Sequence, residues 1–293
     1  RGDRAGAFCL SDRLGRIRPG EAVGRIAGQS CMIEATLQDV AKTSIWTLRA
    51  RADEHLQPRA LFHDDKAIEW FSQIPWPTEL DEWYSKYAQM GIAVRTRAFD
   101  DLVEKHLAGL ERPLVVELGC GLSSRYHRIG RGRARWIDFD LPGVIHTRRQ
   151  LDPETGEHRY LAGSLLDHHW MTAVQAEQAS SLVIVAEGLL MYFDYGEVLE
   201  LLGEMREQFP GAIFIFDTQG EKARRLNERF TKRVNAPLKW VVRNARALRD
   251  LPVEILGVTS LFACHPQRLG LARFLRWVPA MRNINLFVES RLV

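Results

Sequence analysis

The sequence has few cysteines and no long apolar run, and each absence excludes a class of protein. Its 293 residues include four cysteines, too few and too scattered for a disulfide framework or a cysteine-based metal site. No run of about 18 apolar residues occurs, so we expect no membrane-spanning helix. The first residues also have no apolar signal-peptide core. We therefore expect a cytoplasmic protein whose cysteines are reduced, namely Cys9, Cys31, Cys120 and Cys264.

The sequence also has only a small excess of positive over negative charge. The formal net charge is +3, with 26% charged and 46% hydrophobic residues, which is ordinary for a soluble enzyme. So small a positive excess does not by itself indicate a nucleic-acid surface. No internal repeat occurs, and the adjacent His168 and His169 point apart on a strand or a helix. We therefore expect no metal, no membrane and no nucleic acid as partners.

The most informative stretch covers residues 113–140. Residues 113–118 are a short apolar run, rich in β-branched residues, which predicts a buried strand. A glycine-rich turn follows at Gly119 and Gly121, then a segment that can be helical as far as Gly130. Residues 135–140 predict a second strand, which ends in Asp140, 21 residues after Gly119. A turn and an acid in this order are typical of a nucleotide-type cofactor site.

The remaining pattern predicts an α/β protein. Residues 33–110 are helical in pattern, and strand and helix patterns alternate after Asp140. Such alternation with apolar strands indicates a parallel sheet with helices on both faces. Further strands are predicted at 158–165, 181–186, 212–217, 253–261 and 285–293, and helices at 36–51, 62–71, 95–110 and 195–209. We expect a loosely ordered arm at 1–30, a helical lid at 31–110 and a core at 111–293 with a basic helical insertion at about 220–250.

The cofactor can be chosen from the glycine motif. A dinucleotide-binding loop has a third glycine that permits close helix packing, and here Ser124 stands at that position. Glu117, two residues before Gly119, is instead typical of proteins that bind S-adenosylmethionine. An NAD-type oxidoreductase is therefore the less favoured alternative.

Five ordered motifs resemble the leucine carboxyl methyltransferase-like family, which includes polyketide carboxyl O-methyltransferases of the tetracenomycin type. They are Phe62-His63-Asp64, Arg95-Thr96-Arg97-Ala98-Phe99-Asp100-Asp101, the run from Val116 to Arg125, Asp138-Phe139-Asp140-Leu141-Pro142, and the run from Ala186 to Tyr192. The resemblance implies a Rossmann-like class I methyltransferase with a mostly parallel seven-stranded sheet. It also implies S-adenosylmethionine as the cofactor and S-adenosylhomocysteine as the product.

The resemblance also implies the main cofactor contacts. Gly119 and Gly121 would let the loop lie against the methionine part of the cofactor. Asp140 would accept hydrogen bonds from the two ribose hydroxyls, with Asp138 as the alternative acid. Arg95 would pair with the cofactor carboxylate rather than Arg97.

Other positions carry less specific expectations. Arg51 resembles a second basic cofactor ligand, with Arg49 as its competitor. Glu187, just after a buried strand, is expected to contact the cofactor, for example its amino group. Serine at position 164 replaces the acid that usually meets adenine, and the hydroxyl of Ser164 or the backbone of Leu165 would partly substitute.

The acceptor is the least defined part of the prediction. A carboxylate is ionised near neutral pH and needs no base, whereas an alcohol or phenol needs one. Tyr192, His265 and Asp217 are the weak candidates for that base. The alternatives that stay open are a protein C-terminal carboxylate as acceptor and a non-catalytic cofactor-binding relative. The oligomeric state is left open.

A basic segment favours a small acidic acceptor. Residues 222–249 contain ten lysines and arginines. We expect them to form a solvated helix face or a pocket wall that attracts an acidic metabolite, in preference to a nucleic-acid surface.

Overall fold

The computed structural model describes residues 42–293, and its centre is a seven-stranded sheet. The strand order is β3-β2-β1-β4-β5-β7-β6, in which β1 to β5 are parallel and β7 runs antiparallel between β5 and β6. The predicted mostly parallel sheet is confirmed. The strands are Leu114–Leu118, Arg135–Asp140, His158–Ala162, Leu182–Ala186, Ile213–Gln219, Glu254–Ser260 and Asn285–Arg291.

Helices cover both faces of the sheet. Helices α1 to α3 precede β1, α4 to α6 connect the parallel strands, and α7 to α9 follow β5. In order, they are Lys42–His55, Asp65–Phe71, Lys86–Leu107, Pro142–Leu151, His169–Gln175, Tyr195–Gln208, Glu221–Arg233, Pro266–Leu269 and Pro279–Arg282. Among the residues from 42 onward, no helix is long and apolar enough to cross a membrane.

Most predicted elements are present, with shifted ends. The helix predicted at 95–110 begins earlier, at Lys86, because Ser85 accepts a hydrogen bond from the Ala88 amide and caps a 22-residue helix. The strand predicted at 158–165 ends at Ala162, and a turn follows. The segment after the glycine loop is a single π-helical turn, Tyr126–Gly130. The predicted arm at 1–30 and the first part of the helix predicted at 36–51 lie outside the described residues.

The core explains how the N-terminal helices sit. One face of the sheet packs on α3, where the Phe99 ring lies 5.7 Å from that of Phe287 and both contact the cluster around Val115. Helices α1 and α2 form a separate cluster that includes Leu48 and Trp70. Helix α3 is thus a layer of the core. The division into a lid at 31–110 and a core at 111–293 stays a prediction.

The strand order fixes where a ligand can bind. Strand β1 pairs with β2 on one side and with β4 on the other. Strands β2 and β3 are therefore added on one side of β1, and β4 and β5 on the opposite side. Ligands of open α/β sheets bind outside the carboxyl ends of the strands at such a point. Glu117, Asp140 and Glu187 all lie at these ends of the strands.

Candidate active site

A cavity of about 430 Å³ lies at the carboxyl ends of β1, β2 and β4. Small-molecule pockets have volumes of about 300–1,000 Å³, so this one is large enough for a cofactor-sized ligand. Gly119, Asp140 and Glu187 line it from the sheet, while α1 contributes Thr43 and Trp46. Helix α7 lines another part of the wall.

The two loop glycines are required by their backbone conformation and by space. Gly119 has φ of 61° and Gly121 has φ of 52°, in the left-handed region that favours glycine. A Cβ on Gly119 would lie 2.6 Å from Leu189 Cδ1, and one on Gly121 would lie 3.0 Å from Ser44 Cβ. Both glycines line the cavity.

Asp140 closes the glycine loop at the end of β2. Its Oδ2 accepts a hydrogen bond from the Gly121 amide and its Oδ1 accepts one from the Leu141 amide, each at 2.7 Å. Burial raises the pKa of Asp140 to about 6, although both amides act to lower it. The carboxylate lines the cavity and keeps lone pairs for a ligand.

A buried network of charges lies beside the loop. Arg125, only 1% exposed, donates from Nε to Asp100 Oδ1 at 2.9 Å and contacts Glu117 and Glu187 through its terminal nitrogens. Glu187 also accepts from Arg95 Nε at 2.8 Å. Burial acts to raise the pKa of Glu187, but the two arginines outweigh it and bring the pKa to about 2. Glu187 is therefore an ionised carboxylate that holds two arginines in place.

Glu117 keeps one oxygen free for a ligand. Burial raises the pKa of Glu117 despite its contact with Arg125. Its Oε2 atom is buried and has no hydrogen-bond partner among residues 42–293. Because a buried polar atom without a partner is costly, this oxygen suits a donor that arrives with a ligand in the cavity.

Arg51 is a buried cation whose charge is incompletely balanced. Its Nε lies 3.4 Å from Asp64 Oδ2, and a terminal nitrogen donates to the Leu122 carbonyl. Burial lowers the pKa of Arg51 to about 10, and the neighbouring Arg128 and Arg125 cations act in the same direction. Arg51 lines the cavity, so an anionic group there would improve its balance.

The competing arginines lie elsewhere. Arg49 stacks on the rings of Trp76 and Tyr84 and pairs with Asp81. Arg97 pairs with Asp101 on the same helix. Neither lines the cavity, whereas Arg51 and Arg95 do.

Comparison with known proteins gives the family. A model of the leucine carboxyl methyltransferase family matches residues 44–206, more than half of the chain. The chain belongs to the leucine carboxyl methyltransferase family. The family predicted from the five motifs is thereby confirmed.

Individual relatives agree with this assignment. The tetracenomycin polyketide synthesis O-methyltransferase TcmP of Streptomyces glaucescens is 28% identical over 217 residues, 73% of this chain and 79% of that protein. The S-adenosyl-L-methionine-dependent methyltransferase dpfgK of Gibberella zeae is 30% identical over 210 residues, 62% of this chain and 70% of that protein. A solved structure of a DUF574 family protein from Streptomyces avermitilis has the same fold, with a TM-score of 0.54, 14% identity and coverage of 83% of this chain and 97% of that one. The chain is thus an S-adenosylmethionine-dependent methyltransferase with a Rossmann-like class I fold.

Ser164 and Leu165 lie at one end of the cavity of this family member. Ser164 is exposed, and its hydroxyl accepts a hydrogen bond from the Leu166 amide at 3.4 Å. Leu165 is buried, and its carbonyl accepts from Trp170 Nε1 at 3.3 Å. With Phe139, they give this end an apolar wall and backbone groups in place of an acid.

The three candidate bases are in different environments. Tyr192 lines the cavity, but burial raises the pKa of its phenol, which therefore keeps its proton at neutral pH. Asp217 is fully buried and accepts from the Gly188 amide at 2.6 Å and from Asn285 Nδ2 at 3.1 Å. It does not line the cavity.

His265 lies outside the cavity. Its Nε2 is 3.0 Å from Asp101 Oδ2, and its backbone is left-handed with φ of 43°. All nine histidines of the chain fall within residues 42–293, and none of them lines the cavity. The structure therefore brings only Tyr192 of the three candidates to the site.

The part of the cavity away from the glycine loop is aromatic and uncharged. The Trp46 and Phe230 rings lie 5.0 Å apart, and Leu238 and Phe193 continue this wall. Helix α7 contributes neutral side chains only, namely Asn227, Phe230 and Thr231.

The basic side chains of α7 face solvent. Arg224 and Arg225 pair with Glu221, and Lys232 pairs with Glu228, all at the exposed surface. The basic segment therefore contributes to the cavity wall with different residues from those that the sequence analysis emphasised.

Sequence reasoning missed Trp46, Phe230, Leu238 and the central role of Arg125. Phe230 had a detectable signal, because Ala223, Phe230 and Val234 recur at helical spacing within the basic run and are all buried. No sequence signal identified Arg125 beyond its place in the family motif.

Proposed function

We propose that this protein methylates the carboxylate of a small aromatic acid of polyketide-like type. S-adenosylmethionine, when bound, supplies an electrophilic methyl group on a positively charged sulfur. The protein must then hold an acceptor oxygen in line with that group and keep water away. Positioning of this kind is a large source of rate enhancement.

Side chains of the cavity suit each polar group of the cofactor. The two oxygens of Asp140 suit the ribose diol, and Glu117 Oε2 suits the amino group. Arg51 and Arg95 suit the carboxylate through charge-assisted hydrogen bonds, with Glu187 fixing the orientation of Arg95.

The loop and the opposite end complete this assignment. Gly119 and Gly121 let the backbone approach the methionine part. Phe139, Ser164 and Leu165 would border the adenine ring.

The observation that carries the carboxylate assignment is the absence of a free base among the described lining residues. No histidine lines the cavity, and Tyr192 retains its proton. Of the lining carboxylates, Glu117 and Asp140 are assigned above to the amino group and the ribose of the cofactor, and Glu187 is held by Arg95 and Arg125. A phenol or alcohol needs a base at this point, whereas a carboxylate is already ionised.

The wall supports an aromatic acceptor. Trp46 and Phe230 offer ring faces and edges to a planar ligand, and their contacts favour offset or tilted stacking. The exposed cations of α7 do not touch the cavity but give its surroundings a positive potential that attracts anions. The name of TcmP, which refers to polyketide synthesis, fits an acceptor of this class.

Methyl transfer to matched acceptors tests the proposal. The enzyme is incubated with isotope-labelled S-adenosylmethionine and an aromatic carboxylic acid, its primary amide or the corresponding phenol. We expect label on the acid only, in a product that mild base hydrolyses to methanol. A base-stable methyl ether on the phenol would exclude the carboxylate assignment, and Asp140→Ala should abolish transfer while the exposed Asp167→Ala should not.

A further inference from the structure

A cluster of metal-binding side chain types lies away from the cofactor cavity. His127 belongs to the turn Tyr126–Gly130, Asp152 follows α4, and His158 begins β3. The side chain of His158 is 1% exposed, that of Asp152 8% and that of His127 19%. None of the three lines the cavity.

The possible ligand atoms converge on one point. Asp152 Oδ2 accepts a hydrogen bond from His127 Nε2 at 2.7 Å and lies 3.6 Å from His158 Nδ1. One ligand atom from each of the three residues lies within 4.8 Å of the others. A tetrahedral ion with ligands at about 2.0–2.2 Å separates neighbouring ligand atoms by roughly 3.3–3.6 Å. The distance from Asp152 Oδ2 to His158 Nδ1 agrees with this range, and that to His127 Nε2 is shorter because the two atoms are hydrogen-bonded.

The orientation of His158 is the second observation. Its Nε2 lies 2.7 Å from Asp138 Oδ2, so this nitrogen carries the proton and donates it to the carboxylate. The other nitrogen, Nδ1, then presents a lone pair towards Asp152 at a distance too long for a hydrogen bond. This lone pair and the Asp152 carboxylate lie close together in a buried place, where a divalent ion would bind both and would displace the proton of His127 Nε2. A carboxylate behind a ligating histidine is also the usual second partner in metal sites.

We propose that His127, Asp152 and His158 bind one divalent transition-metal ion of the Zn²⁺, Co²⁺ or Ni²⁺ type. Two imidazoles and one carboxylate are the ligand set that such borderline ions prefer. Tyr160 donates its hydroxyl to Asp152 Oδ2 at 3.0 Å and so helps to fix the orientation of the carboxylate. Lys66 Nζ lies 3.6 Å from the other oxygen of Asp152, Oδ1.

The ion joins three segments and reaches the glycine loop indirectly. Asp138, which holds His158, also accepts from Arg148, and Arg148 donates to the Ser123 carbonyl beside the cofactor loop. The site is therefore structural: it fixes the loop from behind and takes no part in methyl transfer.

Binding to tag-free, chelator-treated protein tests the site without any measurement of activity. Calorimetric titration with Zn²⁺ should show one ion per chain at micromolar affinity or better, and the ion should raise the melting temperature. Co²⁺ should give the visible absorption of a nitrogen and oxygen site, without a thiolate charge-transfer band.

Two variants make the result specific. His127→Gln, at the most exposed ligand, should weaken Zn²⁺ binding at least about tenfold and remove the thermal shift, with the metal-free melting temperature nearly unchanged. The matched control, His168→Gln/His169→Gln, removes the half-buried His168 and the exposed His169 and should bind like the wild type. Absence of stoichiometric binding, unchanged affinity in His127→Gln, or a thiolate band would each overturn the proposal.

Discussion

The two halves of the cavity are built from opposite kinds of residue. The half at the strand ends contains three carboxylates and several arginines. Two of these carboxylates, Glu117 and Glu187, belong to the buried network around Arg125. The half under α1 and α7 contains the aromatic and neutral side chains of Trp46, Asn227 and Phe230. A zwitterionic cofactor with a ribose diol needs the first kind of surface, and a planar organic acceptor needs the second. The contrast indicates that recognition of the two ligands can be changed separately.

The largest effect should follow from breaking the charged half. Arg125→Met leaves the buried carboxylates of Asp100, Glu117 and Glu187 with less compensation, and we expect the free energy of unfolding to fall by about 3–5 kcal/mol. Chemical denaturation measures the change. Arg225→Met removes an arginine that is 73% exposed and should leave stability unchanged within error. Equal effects in the two variants would contradict a structural role for the buried network.

A smaller effect is expected from the neutral half. Phe230→Leu keeps most of the buried volume but removes the ring that contacts Trp46. We expect kcat/KM for the acceptor to fall about tenfold while the Kd for S-adenosylhomocysteine stays within twofold. Leu226→Ala, at an exposed position of the same helix, is the control and should change neither constant. A parallel loss of cofactor affinity in Phe230→Leu would show that the halves are not separable.

The smallest predicted effect is a dependence of cofactor binding on pH. The pKa of Asp140 is raised to about 6, so the ionised fraction of the free protein falls about tenfold between pH 7 and pH 5. Only the carboxylate form accepts both ribose hydroxyls, so the Kd for S-adenosylhomocysteine should rise by up to about tenfold over this interval. Glu187 contributes no change because its pKa of about 2 keeps it ionised. Asp140→Asn should bind more weakly with a flat pH profile, and a wild-type profile that is also flat would exclude this role for Asp140.

The charged half was largely predictable from the sequence. Its glycines and acids follow apolar runs that predict strands, and parallel strands bring their carboxyl ends to one edge of the sheet. Glu117, Asp140 and Glu187 were therefore predicted together, and the structure places them around one cavity. The seven strands were predictable for the same reason, apart from their exact ends.

The contacts of the neutral half were not predictable, since they depend on packing between distant elements, although helical spacing marks Phe230 as buried. Trp46 and Phe230 are 184 positions apart, and only the packing of α1 against α7 brings their rings together. The basic composition of α7 also suggested its lysines and arginines as pocket residues, whereas these side chains face solvent. The His127, Asp152 and His158 cluster was hidden in the same way, because its members come from a turn, a helix end and a strand.

The central claim is that the strand ends form a cradle for S-adenosylmethionine organised around Asp140. Calorimetric titration with S-adenosylhomocysteine tests it most directly, with wild type, Asp140→Ala and Asp167→Ala compared and NAD titrated in parallel. We predict micromolar binding to the wild type and to Asp167→Ala, at least tenfold weaker binding to Asp140→Ala because charge-assisted hydrogen bonds are lost, and no binding of NAD. Binding of S-adenosylhomocysteine that is unchanged in Asp140→Ala, or binding of NAD in its place, would contradict the account.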